Sequence, residues 1–205
     1  FVEYKNINID YSVEFFDKNK FIIIPNLINR EKCEQILKYS YSQPAKKNLF
    51  EGSLIEYKFD LSIIADEIEN ARKIISNQQG LNVDVAYDEI SLYKTSRIDK
   101  ADSSFLWHRD GDFERYKLQI LLTNTSENSA LEFDLNTHKI NLQTEYEETR
   151  FRNYIPKNSV KFIGNIGDGA IFTTSLIHRI GNCKKNEKRI VLTIPFLSEK
   201  NINKI

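Results

Sequence analysis

The pattern of hydrophobic and polar positions changes near Gly80 and divides the chain into two parts. Beyond Gly80, short runs rich in β-branched and aromatic residues follow one another, separated by polar turns and without helical periodicity between them. Such a succession predicts a β-sandwich or barrel, because a parallel α/β sheet would need helices between its strands. The predicted strands lie in LNVDVAY, EISLYKTS, YKLQILLT, ALEFDL, VKFIGNI, GAIFTTSLI and RIVLTIPFL.

The part before Gly80 predicts a strand followed by two helices. The β-branched run KFIIIPNLI is the strand, and a helix should begin after Asn29, a good N-cap residue. A second helix is indicated by LSIIADEIENARKIIS, where apolar residues recur at three- and four-residue spacing. We therefore expect one domain over residues 1–205, with a helical N-terminal part at 1–80 and a β-rich core at 81–205.

Charge and cysteine content argue against several classes of protein. The chain carries 29 Lys plus Arg and 29 Asp plus Glu, so its net charge is zero, which argues against a broad basic surface for nucleic acid or anionic membrane. Its two cysteines, Cys33 and Cys183, form neither a disulfide framework nor a zinc motif and fit free thiols in a reducing compartment. The apolar run FIIIPNLI is too short to span a bilayer. We therefore expect a cytoplasmic protein without nucleic-acid or membrane partners.

The stretch WHRDGDF carries the first candidate for chemistry. Residues i and i+2 of an extended chain point to the same side, so His108 and Asp110 can face one point in space. The other histidines are His138, expected at an exposed loop position, and His178, at the end of the apolar run GAIFTTSLI. With His178 as the third ligand, these residues would form the facial triad of two histidines and one carboxylate found in non-haem Fe(II) oxygenases.

A fourth candidate residue, Arg189, begins the run RIVLTIPF, eleven residues after His178. Strand alternation places Arg189 on the same face as Val191 and Thr193. A cation among small or apolar groups is costly unless an anion neutralises it, and a dicarboxylate held by two hydrogen bonds would do so. The alternative is an arginine at a sheet edge that points to solvent.

These motifs, in this order, resemble the Fe(II)/2-oxoglutarate-dependent oxygenases, and among them most closely the phytanoyl-CoA dioxygenase family. The resemblance covers most of the chain and implies a mainly β fold with flanking helices. That fold is a double-stranded β-helix, a cupin-like jelly roll, with the N-terminal helices packed outside. The segments that carry the resemblance are FFDKNKFIIIPNLINREKCEQIL, LYKTSRIDKADSSFLWHRDGDF, LQILLTNTSENSALEF and IHRIGNCKKNEKRIVLTIPF.

The resemblance also implies the cofactors and the activity. The ligands implied for Fe(II), which are also the catalytic residues, are His108, Asp110 and His178. The distal carboxylate of the cosubstrate 2-oxoglutarate would pair with Arg189, while Gln119 and Tyr93 would line the cosubstrate pocket. The implied enzyme is a dioxygenase that uses O2, hydroxylates or otherwise oxidises a C–H bond of a small molecule, and releases succinate and CO2.

The sequence departs from the family pattern at two positions. Ile180, two positions after the distal histidine, replaces a residue that is commonly small or hydroxylated, so one cosubstrate contact is expected to be absent. Ser129 stands where glycine is common. By contrast, Asp110 follows the pattern of the hydroxylases and argues against the halogenase variant, in which a small residue opens a site for chloride.

Other functions share part of this pattern. HRD also opens the protein-kinase catalytic loop, but Arg115 stands where that loop has Asn, and the sequence contains neither its Gly-rich phosphate loop nor DFG. A non-catalytic jelly-roll binding or sensing module stays open, because this fold hosts many functions. A metalloenzyme that works without 2-oxoglutarate also stays open.

The polar segment near 135–158 is long for a plain connection between strands. A lid or substrate loop and a solvated insertion both stay open. Its basic residues Arg150, Arg152 and Lys157 could bind an anionic substrate, although a solvated charged loop is the more common case. The identity of the substrate and the oligomeric state do not follow from the sequence.

Overall fold

The computed structural model describes residues 13–42, 54–55, 60–80, 82–87, 90–96, 105–110, 115–139, 150–151 and 153–198. The described helices are α1 (Val13–Asn19), α2 (Arg30–Ser42) and α3 (Ala65–Gln79), with a 3-10 turn at Leu61–Ile64 before α3. Among these helices, none is both long and apolar enough to cross a membrane. The described strands are β1 (Phe21–Ile24), β2 (Leu54–Ile55), β3 (Val83–Val85), β4 (Ser91–Ser96), β5 (Trp107–His108), β6 (Arg115–Leu121), β7 (Leu131–Asp134), β8 (Arg150–Phe151), β9 (Ser159–Phe162), β10 (Gly169–Thr173), β11 (His178–Ile180) and β12 (Lys188–Ser198).

The described strands form two antiparallel sheets. The larger one, the major sheet, has the order β1-β10-β6-β12-β4-β2, and β3 also pairs with β12. The smaller one, the minor sheet, has the order β8-β5-β11-β7-β9. Strands that are distant in sequence are neighbours in both sheets, as in a double-sheet jelly roll. The predicted fold class is therefore confirmed.

Alternation along β12 directs its side chains to the two faces of the major sheet. Ile190 and Leu192 belong to an apolar cluster that also contains the buried side chains of α2 and α3. Val191 belongs to a second cluster, which includes Phe172 of the major sheet and Phe133 of the minor sheet. The helices thus cover the outer face of the major sheet, as predicted. The face toward the minor sheet is called the inner face below.

The helix α2 begins directly after Asn29, as predicted, whereas α3 begins at Ala65, because Leu61–Ile64 of the predicted helix form a 3-10 turn. The Asn29 side chain accepts a hydrogen bond from the Lys32 backbone N–H at 2.9 Å and caps α2. The helix α3 ends at Gly80, whose φ of 58° is a left-handed conformation that glycine adopts without steric penalty. The seven-residue helix α1 is not predicted, because its stability comes from packing: buried Phe16 contacts Tyr116 with ring centroids 6.1 Å apart.

The run GAIFTTSLI, predicted as one strand, forms a strand only over its first five residues. β10 ends at Thr173, residues 174–177 turn the chain, and β11 begins at His178. His178 therefore starts a strand of the minor sheet and does not end the preceding one. The turn is closed by the Leu176 N–H, which donates to the Thr173 carbonyl at 3.2 Å. Such local hydrogen bonds interrupt an apolar run without changing its hydrophobic pattern.

Part of the predicted loop at 135–158, including Arg152, lies outside the described residues. The portion just before β9 is anchored to the end of β7 by one carboxylate. Asp134 accepts hydrogen bonds from the Tyr154 hydroxyl at 2.5 Å and from the Asn158 backbone N–H at 2.7 Å. This portion is therefore attached to the sheet, and a role for the loop as a lid or substrate loop stays a prediction.

Candidate metal and anion site

β5 and β11 are neighbours in the minor sheet and bring two distant histidines together. His108 and His178 are direct partners in the antiparallel register, and their ring centroids are 4.4 Å apart. Asp110 follows β5, and its backbone N–H donates to the Thr174 carbonyl, in the turn before β11, at 3.3 Å. The two strands therefore place the three predicted metal ligands next to one another.

The ligand atoms of these residues converge on one point. One nitrogen or oxygen from each of His108, Asp110 and His178 lies within 4.8 Å of the others. Asp110 Oδ2 is 3.2 Å from His178 Nε2, and Asp110 Oδ1 is 3.5 Å from His108 Nε2. The opposite ring nitrogen of His108 lies 2.7 Å from the Leu106 carbonyl. The same nitrogen of His178 lies 2.8 Å from the Leu176 carbonyl.

These backbone contacts determine which ring nitrogens carry protons. A carbonyl oxygen only accepts, so Nδ1 of each histidine is the donor there, and each Nε2 is directed toward Asp110. Two imidazoles and one carboxylate suit a first-row transition metal and leave further coordination positions open. The residues present therefore fit an iron site.

Burial and neighbouring charges shift the pKa values of the site residues in opposite directions. The His178 ring packs against Phe133 and Phe172, with centroids 6.2 and 5.4 Å away, and burial lowers the pKa of His178. Burial alone would raise the pKa of Asp110, but Lys117 and the two histidines hold that pKa well below its usual range. At neutral pH the site thus offers a neutral imidazole and an ionised carboxylate, the forms that bind metal.

Lys117 is a site residue that the sequence analysis missed. Its Nζ lies 2.7 Å from Asp110 Oδ2. In the sheet register it lies opposite Phe172, a member of the inner cluster, so it occupies the inner face of β6. The signal was present in YKLQILLT, since Lys117 precedes Gln119 by two residues and alternation places both on one face.

Arg189 is completely buried on the inner face of β12, so the alternative of a solvent-exposed edge arginine is wrong. Its Nη2 donates to Gln119 Oε1 at 3.0 Å. Within the described residues, Arg189 Nε and Nη1 and the hydroxyl of buried Thr193 have no hydrogen-bond partner. Burial lowers the pKa of Arg189 to about 10. A buried guanidinium with unused N–H donors fits an anion such as a carboxylate, which would neutralise the charge and accept hydrogen bonds from it.

β6 links the metal ligands to the buried arginine. On its inner face, Lys117 contacts Asp110, and Gln119 contacts Arg189 two residues further along. Two residues of an antiparallel strand span about 7 Å, a separation that suits a short dicarboxylate. The candidate metal point and the guanidinium therefore share the space between the two sheets.

The remaining candidate residues lie around this space. Tyr93 packs against the inner cluster from β4, and so does Ile180, which offers no hydroxyl at its position. His138 is outside the three-residue cluster of possible metal ligands. It is half-buried and not exposed as predicted. Its 3-10 turn is held under β11, because the Ile177 N–H donates to Thr137 Oγ1 at 2.9 Å.

The outer face of the minor sheet carries a network that supports the two histidines from behind. The Arg179 guanidinium lies 4.7 Å over the Trp107 ring and donates to Glu132 at 2.7 Å. Trp107 and Arg179 alternate along their strands with His108 and His178 and therefore point away from the site. This cation–π contact and ion pair tie β5, β11 and β7 together.

No family model and no curated protein sequence matches the chain. Among solved structures, the chain is similar to HygX from Streptomyces hygroscopicus with nickel, 2-oxoglutarate and hygromycin B bound, at 13% identity and a TM-score of 0.66, covering 94% of this chain and 88% of that one. It is similar to the epimerase SnoN in complex with Fe3+, alpha ketoglutarate and nogalamycin RO, at 12% identity and a TM-score of 0.62, covering 90% and 81%. It is also similar to the non-heme monooxygenase ThoJ in complex with Ni, at 16% identity and a TM-score of 0.59, covering 91% and 76%. At these identities the likeness establishes a common fold.

Proposed function

We propose that this protein is an Fe(II)- and 2-oxoglutarate-dependent dioxygenase that hydroxylates, or otherwise oxidises, a C–H bond of a small molecule. One observation carries the proposal: the cluster of His108, Asp110 and His178 shares the interior of the jelly roll with the buried cation Arg189. The similar structures HygX and SnoN, which hold a metal ion and 2-oxoglutarate, support it.

Each polar residue of the interior has a distinct role in this proposal. The residues that would hold Fe(II) are His108, Asp110 and His178. Arg189, which has unused N–H donors and Gln119 beside it, binds the distal carboxylate of 2-oxoglutarate. When bound, iron and 2-oxoglutarate together supply the oxidising chemistry, in which O2 is reduced, succinate and CO2 are released and a substrate C–H bond is oxidised.

Apolar side chains exclude water from this interior. Phe133 and Phe172 cover His178, and Tyr93 packs against the same cluster. Exclusion of water strengthens the attraction between the Arg189 guanidinium and a carboxylate, because the local dielectric constant is low. We assign Tyr93 to the wall of the cosubstrate pocket on this basis.

The test is an anaerobic titration of the metal-free protein with Fe(II) and 2-oxoglutarate, followed by visible absorption. Chelation of the 2-oxo acid to iron gives a weak charge-transfer band that neither component gives alone. We expect the band in the wild type and its loss in Asp110→Ala, because the triad then lacks its carboxylate. Asp84→Ala removes an exposed carboxylate from β3 and is the matched control, which should keep the band.

Circular dichroism establishes that each variant is folded before it is titrated. A band that the wild type shows and Asp110→Ala loses supports the assignment of both cofactors. A folded wild type without the band contradicts the proposal. In that case Fe(II) binding without the band indicates a metalloenzyme that works without 2-oxoglutarate, and no Fe(II) binding indicates a binding module.

Finer parts of the proposal concern the family, the substrate and the compartment. The order of the motifs supports a phytanoyl-CoA dioxygenase-like enzyme, and the hygromycin B and nogalamycin RO bound by HygX and SnoN support a small-molecule substrate. SnoN is an epimerase and ThoJ a monooxygenase, so the gain of one oxygen atom, measured by mass spectrometry, is the outcome to test. The buried free thiols of Cys33 and Cys183 fit a reducing compartment such as the cytoplasm.

A further inference from the structure

A lysine lies beside the carboxylate that would bind the metal. Lys117 Nζ is 2.7 Å from Asp110 Oδ2, and the same oxygen is 3.2 Å from His178 Nε2. The Lys117 side chain is only 21% exposed, so water screens its charge weakly. The Lys117 ammonium group and a divalent metal would therefore both contact the Asp110 carboxylate.

Whether the charge of Lys117 opposes or favours binding depends on which ligand occupies the site. When only a metal ion occupies the site, the charge of Lys117 repels it and Lys117 draws electron density from Asp110. When a dianion is also bound, the same charge attracts it. Lys117 and Gln119 lie two residues apart on the inner face of β6, and Gln119 contacts Arg189. A dicarboxylate held by Arg189 and directed at the metal ligands would thus lie along Lys117.

We propose that Lys117 couples the binding of the metal to the binding of 2-oxoglutarate, and this inference rests on the proposed function. Lys117 weakens the affinity of the site for a divalent metal alone. It strengthens the affinity of the metal-loaded site for the anionic cosubstrate. Lys117 acts through its charge on Asp110 and on the bound anion, so it is a positioning residue.

A purely structural ion pair makes a different prediction. If Lys117 only held Asp110 in its conformation, its removal would loosen the carboxylate and weaken both metal and 2-oxoglutarate binding. A charge that repels the metal and attracts the anion gives changes of opposite sign when it is removed. The direction of the two changes therefore separates the two roles.

The experiment compares the wild type with Lys117→Met and Lys117→Gln, which remove the charge, and Lys117→Arg, which keeps it. Each metal-free protein is titrated anaerobically with Fe(II) alone by calorimetry, and the Fe(II)-loaded protein is then titrated with 2-oxoglutarate by visible absorption. For the neutral variants we expect Fe(II) alone to bind about five-fold tighter or more, and 2-oxoglutarate about five-fold weaker or more. Lys117→Arg should stay close to the wild type in both titrations.

The control is Lys38→Met, which removes an equal charge from an exposed position on α2. It should change neither affinity, and circular dichroism checks the fold of every variant. Neutral variants that bind both ligands more weakly, or a Lys117→Arg variant that behaves like Lys117→Met, would overturn the inference while leaving the proposed function intact. A wild type that binds no 2-oxoglutarate would overturn both, and this outcome is visible before any variant is made.

Discussion

The buried charge of Arg189 leads to a stability prediction that does not depend on catalysis. Arg189→Met replaces the guanidinium by an apolar side chain at a completely buried position. In the protein without metal or anion, Arg189 is a cation whose Nε and Nη1 have no hydrogen-bond partner within the described residues. Removing such an uncompensated charge commonly stabilises a protein. We expect the variant to be more stable than the wild type under these conditions.

The magnitude follows from the pKa of Arg189, which burial lowers to about 10. An ordinary arginine has a pKa above about 12, and a difference of more than two pKa units corresponds to a penalty of about 3 kcal/mol on the charged form. The variant also loses the hydrogen bond to Gln119, worth about 1 kcal/mol. The expected net gain is about 2 kcal/mol in the free energy of unfolding, or roughly 4–8 °C in melting temperature for a chain of this size.

The assay is urea unfolding of chelator-treated protein at neutral pH, followed by circular dichroism. The folded-state pKa of Arg189 lies below its unfolded value, so the wild type loses the penalty as the pH rises through about 10. The advantage of the variant should therefore shrink in alkaline solution. With Fe(II) and 2-oxoglutarate added, the order should reverse, because ligand at about 100 times Kd stabilises the wild type by about 2.7 kcal/mol.

The control is Arg30→Met, which removes a guanidinium whose side chain is 79% exposed. Its free energy of unfolding should change by less than about 0.5 kcal/mol. A ligand-free Arg189→Met variant that is less stable than the wild type, with an unchanged urea dependence, would contradict this prediction. The fold itself would then neutralise Arg189, and the argument for an anion site would be lost.

Further variants test the backbone after β11, the contact between Glu187 and Ser129, and the number of metal ligands. A Cβ at Gly181 would lie 2.1 Å from a backbone carbonyl oxygen, so Gly181→Ala should cost about 2 kcal/mol by urea unfolding and weaken Fe(II) binding by calorimetry. Gly80→Ala, with open space and φ 58°, should cost about 1 kcal/mol and keep Fe(II) binding; equal losses of metal affinity would contradict this reasoning. Burial would raise the pKa of Glu187, but hydrogen bonds, including one from Ser129 at 2.7 Å, keep it low. Its stabilisation is therefore present above its ordinary pKa and lost on acidification, so Glu187→Gln should cost about 1 kcal/mol at neutral pH and nothing in strong acid, whereas a cost that does not depend on pH would argue against it. His138→Gln should keep one equivalent of Fe(II), and loss of the metal would place a fourth ligand in the site.

The β-rich core and the set of residues that share a strand face with Arg189 follow from the sequence alone. Strand side chains alternate with a period of two, so the pattern of RIVLTIPF assigns Arg189, Val191 and Thr193 to one face without knowledge of any partner strand. The spacing of two residues that lets His108 and Asp110 face one point is likewise visible without knowledge of any partner strand. The grouping of these residues with His178 was predicted from the position of His178 after an apolar strand, and the resemblance to a family supported it.

The contacts between these side chains depend on the tertiary structure. The register that places His108 opposite His178, and the contacts of Lys117 with Asp110 and of Arg189 with Gln119, join strands that are distant in sequence. A hydrophobic pattern states which face of a strand is buried, but it does not state which strand becomes its neighbour. Neighbours are chosen by the packing of the whole core.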